Sequence, residues 1–143
     1  HQEGRKVPRE ATAVNGITTE MVNNDSIALK FEDVLGLFFK DAMEAANIIG
    51  HNVYFDTAIV QANVYREFGE NSPEAHKIVA ALFKDKRICT MRGSKILFGN
   101  RWPRLTSLHE LLFNGKSFAA HDALEDVLAV ERCYYELKKR RVL

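Results

Sequence analysis

The sequence predicts an α/β protein rich in helix, and three observations carry that prediction. Long segments place apolar residues at helical spacing, one stripe per segment. Between them stand two short apolar runs, Asn47-Ile48-Ile49-Gly50-His51 and Arg87-Ile88-Cys89-Thr90-Met91, whose length and β-branching suit strands. A helical pattern bearing Asp56 follows the first run directly, and α/β proteins build their sites at the C-terminal ends of strands. The 143 residues, 46% hydrophobic and 27% charged, fit one globular domain and exclude a disordered or fibrous chain.

In chain order, residues 1–9 are polar and aperiodic and read as a loop. Pro8 opens a short helix through Glu10, Ala11, Ala13 and Val14, stopped by Asn15-Gly16. Ile17 to Met21 reads as a connector. Phe31, Val34, Leu35, Phe38, Phe39, Ala42 and Ala46 form a helical stripe between Lys30 and Ala46. The run Asn47 to Gly50 looks like a strand buried on both faces, which needs neighbours to pair its backbone groups. Asn52 then suits the N-cap of a helix through Phe55, Ile59, Ala62, Val64 and Phe68, with Phe55 anchoring the turn in the core and Asp56 facing outward. Gly69 ends that helix. Ser72-Pro73-Glu74 starts the next, with proline at the first helical position, running to about Lys84.

After the second strand run, Arg92 to Pro103 reads as a basic loop that contains Gly93, Gly99 and Trp102. Leu105, Leu108, Leu111 and Leu112 mark a helix ended by Asn114-Gly115. Asp122 with Glu125 three residues on resembles a capping box and sets the start of the last helix at Ala123. Its predicted buried stripe is Ala123, Val127, Val130, Tyr134 and Leu137, with Asp126, Ala129 and Cys133 to one side. His121 stands in the preceding loop and Asp126 in the first turn. A break between loop and helix lets the imidazole and the carboxylate converge.

Net charge is +1, so total charge identifies no partner, but the distribution is uneven. Lys84 to Arg104 carries seven basic residues against Asp85, a net of +6. Leu105 to Leu137 carries six acids against Lys116 and Arg132, a net of −4, and Lys138 to Arg141 adds a basic end. A basic stretch beside an acidic one suits a nucleic-acid path to a cation site; a solvated basic loop and a frayed tail is the other reading. Trp102 is either a base-stacking residue or a core or lid anchor. Cys89 and Cys133 have neither metal nor disulfide spacing, which suits a reducing, cytoplasmic (intracellular) setting. No apolar run is long enough to span a membrane.

Val14-Asn15-Gly16-Ile17-Thr18 with Glu20-Met21, then Gly50-His51-Asn52 with Phe55-Asp56, then His121 with Asp126, closely resembles the DEDDh exonucleases. These are the DnaQ-like 3′–5′ exonucleases, including the proofreading subunit of bacterial DNA polymerase III. Cys89-Thr90 at a strand end and the helix over Leu105 to Phe113 agree with the resemblance, which covers nearly the whole chain. It implies a ribonuclease H-like fold and metal-dependent release of nucleoside 5′-monophosphates from the 3′ end of DNA or RNA. It also implies two cations, Mg²⁺ or Mn²⁺, with Asp126 and Asp56 among the metal ligands and His121 as general base. Hard carboxylate oxygens suit such ions, and an imidazole suits proton transfer near neutral pH. His51, Asn52 and Phe55 are expected against the terminal nucleotide, although capping accounts equally for Asn52. The expected partners are single-stranded or 3′-end nucleic acid and a DNA polymerase or other replication or repair protein. His1, His76 and His109 match no motif and read as surface or packing residues.

One motif of the family has no counterpart. No aspartate in this chain is followed two residues later by glutamate, so the Asp-x-Glu pair expected upstream of Val14 is absent. On the resemblance, residues 1–10 correspond to the end of a third strand and its loop. The expectation is a single exonuclease domain over residues 1–143, shortened at its N-terminus, with the metal site incomplete. A catalytically inactive nucleic-acid-binding or interaction module with the same fold is the alternative.

Overall fold

A computed structural model describes residues 4–143. The chain divides into two units, one ending at Glu44 and the other beginning at Ala45. In the first unit, α1 (Arg9–Asn15) follows Pro8 and is stopped by Gly16, whose φ of 72° is the left-handed geometry that glycine adopts without strain. The predicted connector instead contains a one-turn helix, α2 (Thr19–Val22), because Thr18 accepts from the Met21 N–H and caps it. Helix α3 (Phe31–Glu44) forms as the apolar stripe predicts and buries Leu35 and Ala42. The strand end expected before residue 10 is not found among the described residues. There the backbone N–H groups of Gly4 and Val7 donate to the side chains of Asn23 and Thr19, not to a ladder. His1 lies outside the described residues.

The second unit is built on β1 (Ile48–Gly50) and β2 (Arg87–Cys89), paired in parallel with Ile49 opposite Ile88. Parallel strands need a crossover, which α4 (Val53–Phe68) and α5 (Pro73–Phe83) supply. Ser72 accepts from the N–H groups of Glu74 and Ala75 and so starts α5 as its sequence predicts. Helices α4 and α5 pack on each other, burying Val64, Ala75 and Leu82 completely. The expectation that β1 is buried on both faces is not met, since Ile49 is 37% exposed.

Beyond β2 the predicted basic loop is mostly helical. A short α6 (Thr90–Gly93) runs into a 3₁₀ turn over Ser94–Phe98, closed by Gly99 in the left-handed region. Ser94 is fully buried and donates to the Thr90 carbonyl, a local bond that sequence periodicity does not reveal. Then α7 (Leu105–Leu112) packs on α8 (Ala123–Lys139) around Leu108, Leu112, Cys133 and Leu137. Burial raises the Cys133 thiol to about 11, so it is a packing residue. The tail is not frayed: Arg140 bonds Glu136 at 2.8 Å and the Leu112 carbonyl at 3.0 Å, joining the ends of α7 and α8.

The buried stripe of α8 differs from the prediction. Ala129, Cys133 and Leu137 are buried, whereas Ala123 is exposed and Val127 is 63% exposed. Small residues at 129 and 133 let the helix approach β1 and α6 closely, and that selects the face. Asp126 heads this buried stripe and is itself partly covered.

Candidate active site

The first group of candidate residues forms where β1 turns into α4. Gly50 is demanded by sterics: a Cβ there would stand 3.0 Å from the Val53 Cβ and 3.2 Å from its Cα. Asn52 occupies the N-cap position in the left-handed conformation, φ 70°, and its side chain makes no cap bond. Its carbonyl accepts from the Phe55 N–H at 2.8 Å instead. The expected capping role is therefore corrected: with φ positive, the side chain is carried away from the free N–H groups. Asparagine is among the residues that tolerate this backbone.

Phe55 does not anchor the turn in the core. It is 62% exposed, and Val53 and Thr57 are the buried residues of this turn. Two helical steps turn a side chain by about 200°, so with Val53 inward Phe55 must face outward. Asp56 is exposed in the first turn of α4, where the positive end of the helix favours a carboxylate.

His51 is held at both ring nitrogens. Its Nε2 lies 3.0 Å from the Pro103 carbonyl and its Nδ1 lies 3.1 Å from Thr90 Oγ1. A carbonyl only accepts, so Nε2 carries the proton, and Nδ1 of the neutral ring shares the single proton of the Thr90 hydroxyl with the Gly50 carbonyl. Thr90, fully buried, also lies 3.3 Å from the Gly50 carbonyl. Burial holds the His51 pKa below its usual 6.5, and the bond to Pro103 opposes that shift in part. The ring thereby joins the end of β1, the end of β2 and the segment leading into α7.

Arg87 and Arg92 reinforce the same turn. The Arg92 guanidinium stands 3.8 Å from the centre of the Tyr54 ring and that of Arg87 4.8 Å from it. Arg87 also donates to Thr57 Oγ1 at 3.4 Å.

The second group precedes α8. Asp122 accepts from the N–H groups of Leu124 and Glu125 at 3.0 and 3.1 Å, starting the helix at Ala123 as predicted. His121, one residue earlier, is exposed and left-handed, with φ 75°. The chain leading to it is set by His109. That ring is buried, donates from Nδ1 to the Lys116 carbonyl at 2.9 Å, and contacts the rings of Phe113 and Phe118. His109 is thus a packing residue, while His76 is exposed and bonds the Ser72 carbonyl.

Both helices that carry candidate carboxylates, α4 and α8, pack against β1. Among the described residues no three His, Cys, Asp or Glu side chains come together in a way that could hold a metal ion. Nor is any helix there long and apolar enough to cross a membrane. Sequence reasoning missed Tyr54 and Pro103. A ring beneath two distant guanidinium groups has no sequence period, and a backbone carbonyl leaves no side-chain signal.

Comparison with known proteins adds one finding. The exonuclease family model RNase T matches residues 1–134. No curated protein and no solved structure matches the chain.

Proposed function

This chain belongs to the RNase T exonuclease family, and from that membership we propose that it hydrolyses phosphodiester bonds from the 3′ end of DNA or RNA, releasing nucleoside 5′-monophosphates. The family match over residues 1–134 is the observation that carries this reading. His121 is the proposed general base: it is exposed, and a ring nitrogen there is free to take the proton of an attacking water. Asp56 and Asp126 are the proposed metal ligands, for Mg²⁺ or Mn²⁺. His51 acts as a positioning residue in this scheme, because both its nitrogens are committed to protein partners. Asn52 and the exposed Phe55 remain available to the terminal nucleotide.

A pair of divalent cations would stabilise charge on the attacked phosphate and activate the water. The described donor set does not fit that pair, because such ions need several oxygen ligands and no three candidate groups cluster. The alternative reading is a nucleic-acid-binding or interaction module without catalysis, against which the presence of Asp56, His121 and Asp126 together argues.

A 3′-labelled single strand of DNA or RNA, incubated with the protein and Mn²⁺ or with EDTA, separates the two. Nucleotide release that EDTA abolishes supports the nuclease. Binding without release supports the module. Replacing His121 by alanine should remove release and leave binding nearly intact.

A further inference from the structure

The basic segment between β2 and α7 presents its lone tryptophan in a specific setting. Lys95 places its ammonium 4.2 Å from the centre of the Trp102 ring, yet Trp102 remains 57% exposed. The turn that carries the indole is fixed by its own backbone. Asn100 N–H donates to the Lys95 carbonyl at 3.1 Å and Arg101 N–H to the Phe98 carbonyl at 3.2 Å. The next residue, Pro103, is buried, and its carbonyl is the one that His51 holds. The indole is therefore one residue from an atom tied to the turn that bears Asp56. Tyr54, three residues beyond His51, carries Arg92 over its ring in the same manner.

We propose that Trp102, with Lys95 beside it, forms a stacking platform for single-stranded nucleic acid outside the catalytic motifs. An exposed aromatic ring accepts any base on its face, and an adjacent cation neutralises phosphate, which together bind a strand without reading its sequence. A core or lid anchor would be covered, and Trp102 is not. Trp102 stands within the segment Lys84 to Arg104, whose net charge of +6 favours a polyanion. The proposal rests on the nuclease reading for its ligand class, but it assigns a contact distinct from the hydrolytic groups.

The chain has one tryptophan, so its emission reports on this surface alone. The test is titration of the whole protein with an oligothymidylate of about 15 nucleotides in EDTA, following tryptophan emission. The expected result is saturable quenching. By anisotropy of the labelled oligonucleotide, Trp102→Ala should weaken binding about 5- to 150-fold, and Trp102→Phe should restore most of it. Lys95→Ala should lower the slope of log affinity against log salt by about 0.7. Binding that leaves the emission unchanged, or no binding at all, overturns the proposal. Equal quenching by poly-glutamate also overturns it, because the surface would then suit an acidic protein. Asp126→Asn should abolish nucleotide release and leave the quenching curve in place, so failure of the nuclease reading and failure of the platform are told apart.

Discussion

The turn ahead of α4 and the turn ahead of α8 are assembled from the same parts in the same order. Each has a histidine, a polar residue, the first helical residue, and an aspartate five positions after the histidine: His51 to Asp56, and His121 to Asp126. Each contains one left-handed residue, but its position differs by one. In the first turn it is Asn52, at the cap itself, and the cap side chain makes no bond to the helix. In the second it is His121, and Asp122 is left extended and free to cap. The same displacement separates the histidines. His51 is half-buried and bonded at both nitrogens, whereas His121 stands exposed. One turn uses its imidazole to join strands and loop; the other leaves it open to solvent.

The largest expected effect breaks this pairing at its exposed member. His121→Ala should lower nucleotide release about 10²- to 10⁴-fold, the range for removing a general base. The same change should cost no more than about 1 kcal/mol in urea denaturation, the cost of alanine in the left-handed backbone at φ 75°, because the exposed ring itself holds no partner. His51→Ala should invert the pattern. It strips the partner from the Pro103 carbonyl and from Thr90, and should cost about 1–3 kcal/mol of stability by urea denaturation. Equal stability losses for the two variants would end the distinction.

A pH titration sharpens the same contrast. Burial depresses the folded-state pKa of His51 below 6.5, so the unfolded chain binds its proton more readily than the native one. The stability this group contributes is complete above about pH 6.5 and is lost as pH falls through the lower folded value. Urea midpoints taken at about pH 7.5 and about pH 5.5 should therefore fall more for the native protein than for His51→Gln. An identical fall in both would place the pH dependence elsewhere.

How much of this was legible in the sequence follows the range of the interaction involved. Local signals succeeded: Ser72-Pro73 starts α5, Asp122 caps α8, and Asn114-Gly115 comes just past Phe113, the C-cap of α7. The parallel pairing of Ile49 with Ile88 agreed with two short β-branched runs separated by helices. The membership that the ordered motifs suggested is borne out by the family match. Long-range choices were not legible. The face that α8 buries is decided by close approach to β1 and α6, which favours Ala129 and Cys133 over the larger Val127. Phe55 reads as a core residue by type, but the phase set by Val53 and Thr57 turns it outward. The His51 bonds join residues 39 and 52 positions apart, and no pattern along the chain encodes them.

The smallest effects test the caps, where the two turns differ by the placement of one left-handed residue. Asp122→Ala removes the acceptor for two N–H groups and should cost about 1 kcal/mol, with hydrogen exchange accelerating first at Leu124 and Glu125. Asn52→Gly removes no cap bond and places at φ 70° the residue that adopts it with least strain. Its stability should change by only a few tenths of a kcal/mol, because the easier backbone is offset by greater freedom in the unfolded chain. Asn52→Ala keeps neither advantage and should cost about 1 kcal/mol through the left-handed geometry alone. A loss for glycine as large as for alanine would mean that the Asn52 side chain, not its backbone, is what this turn requires.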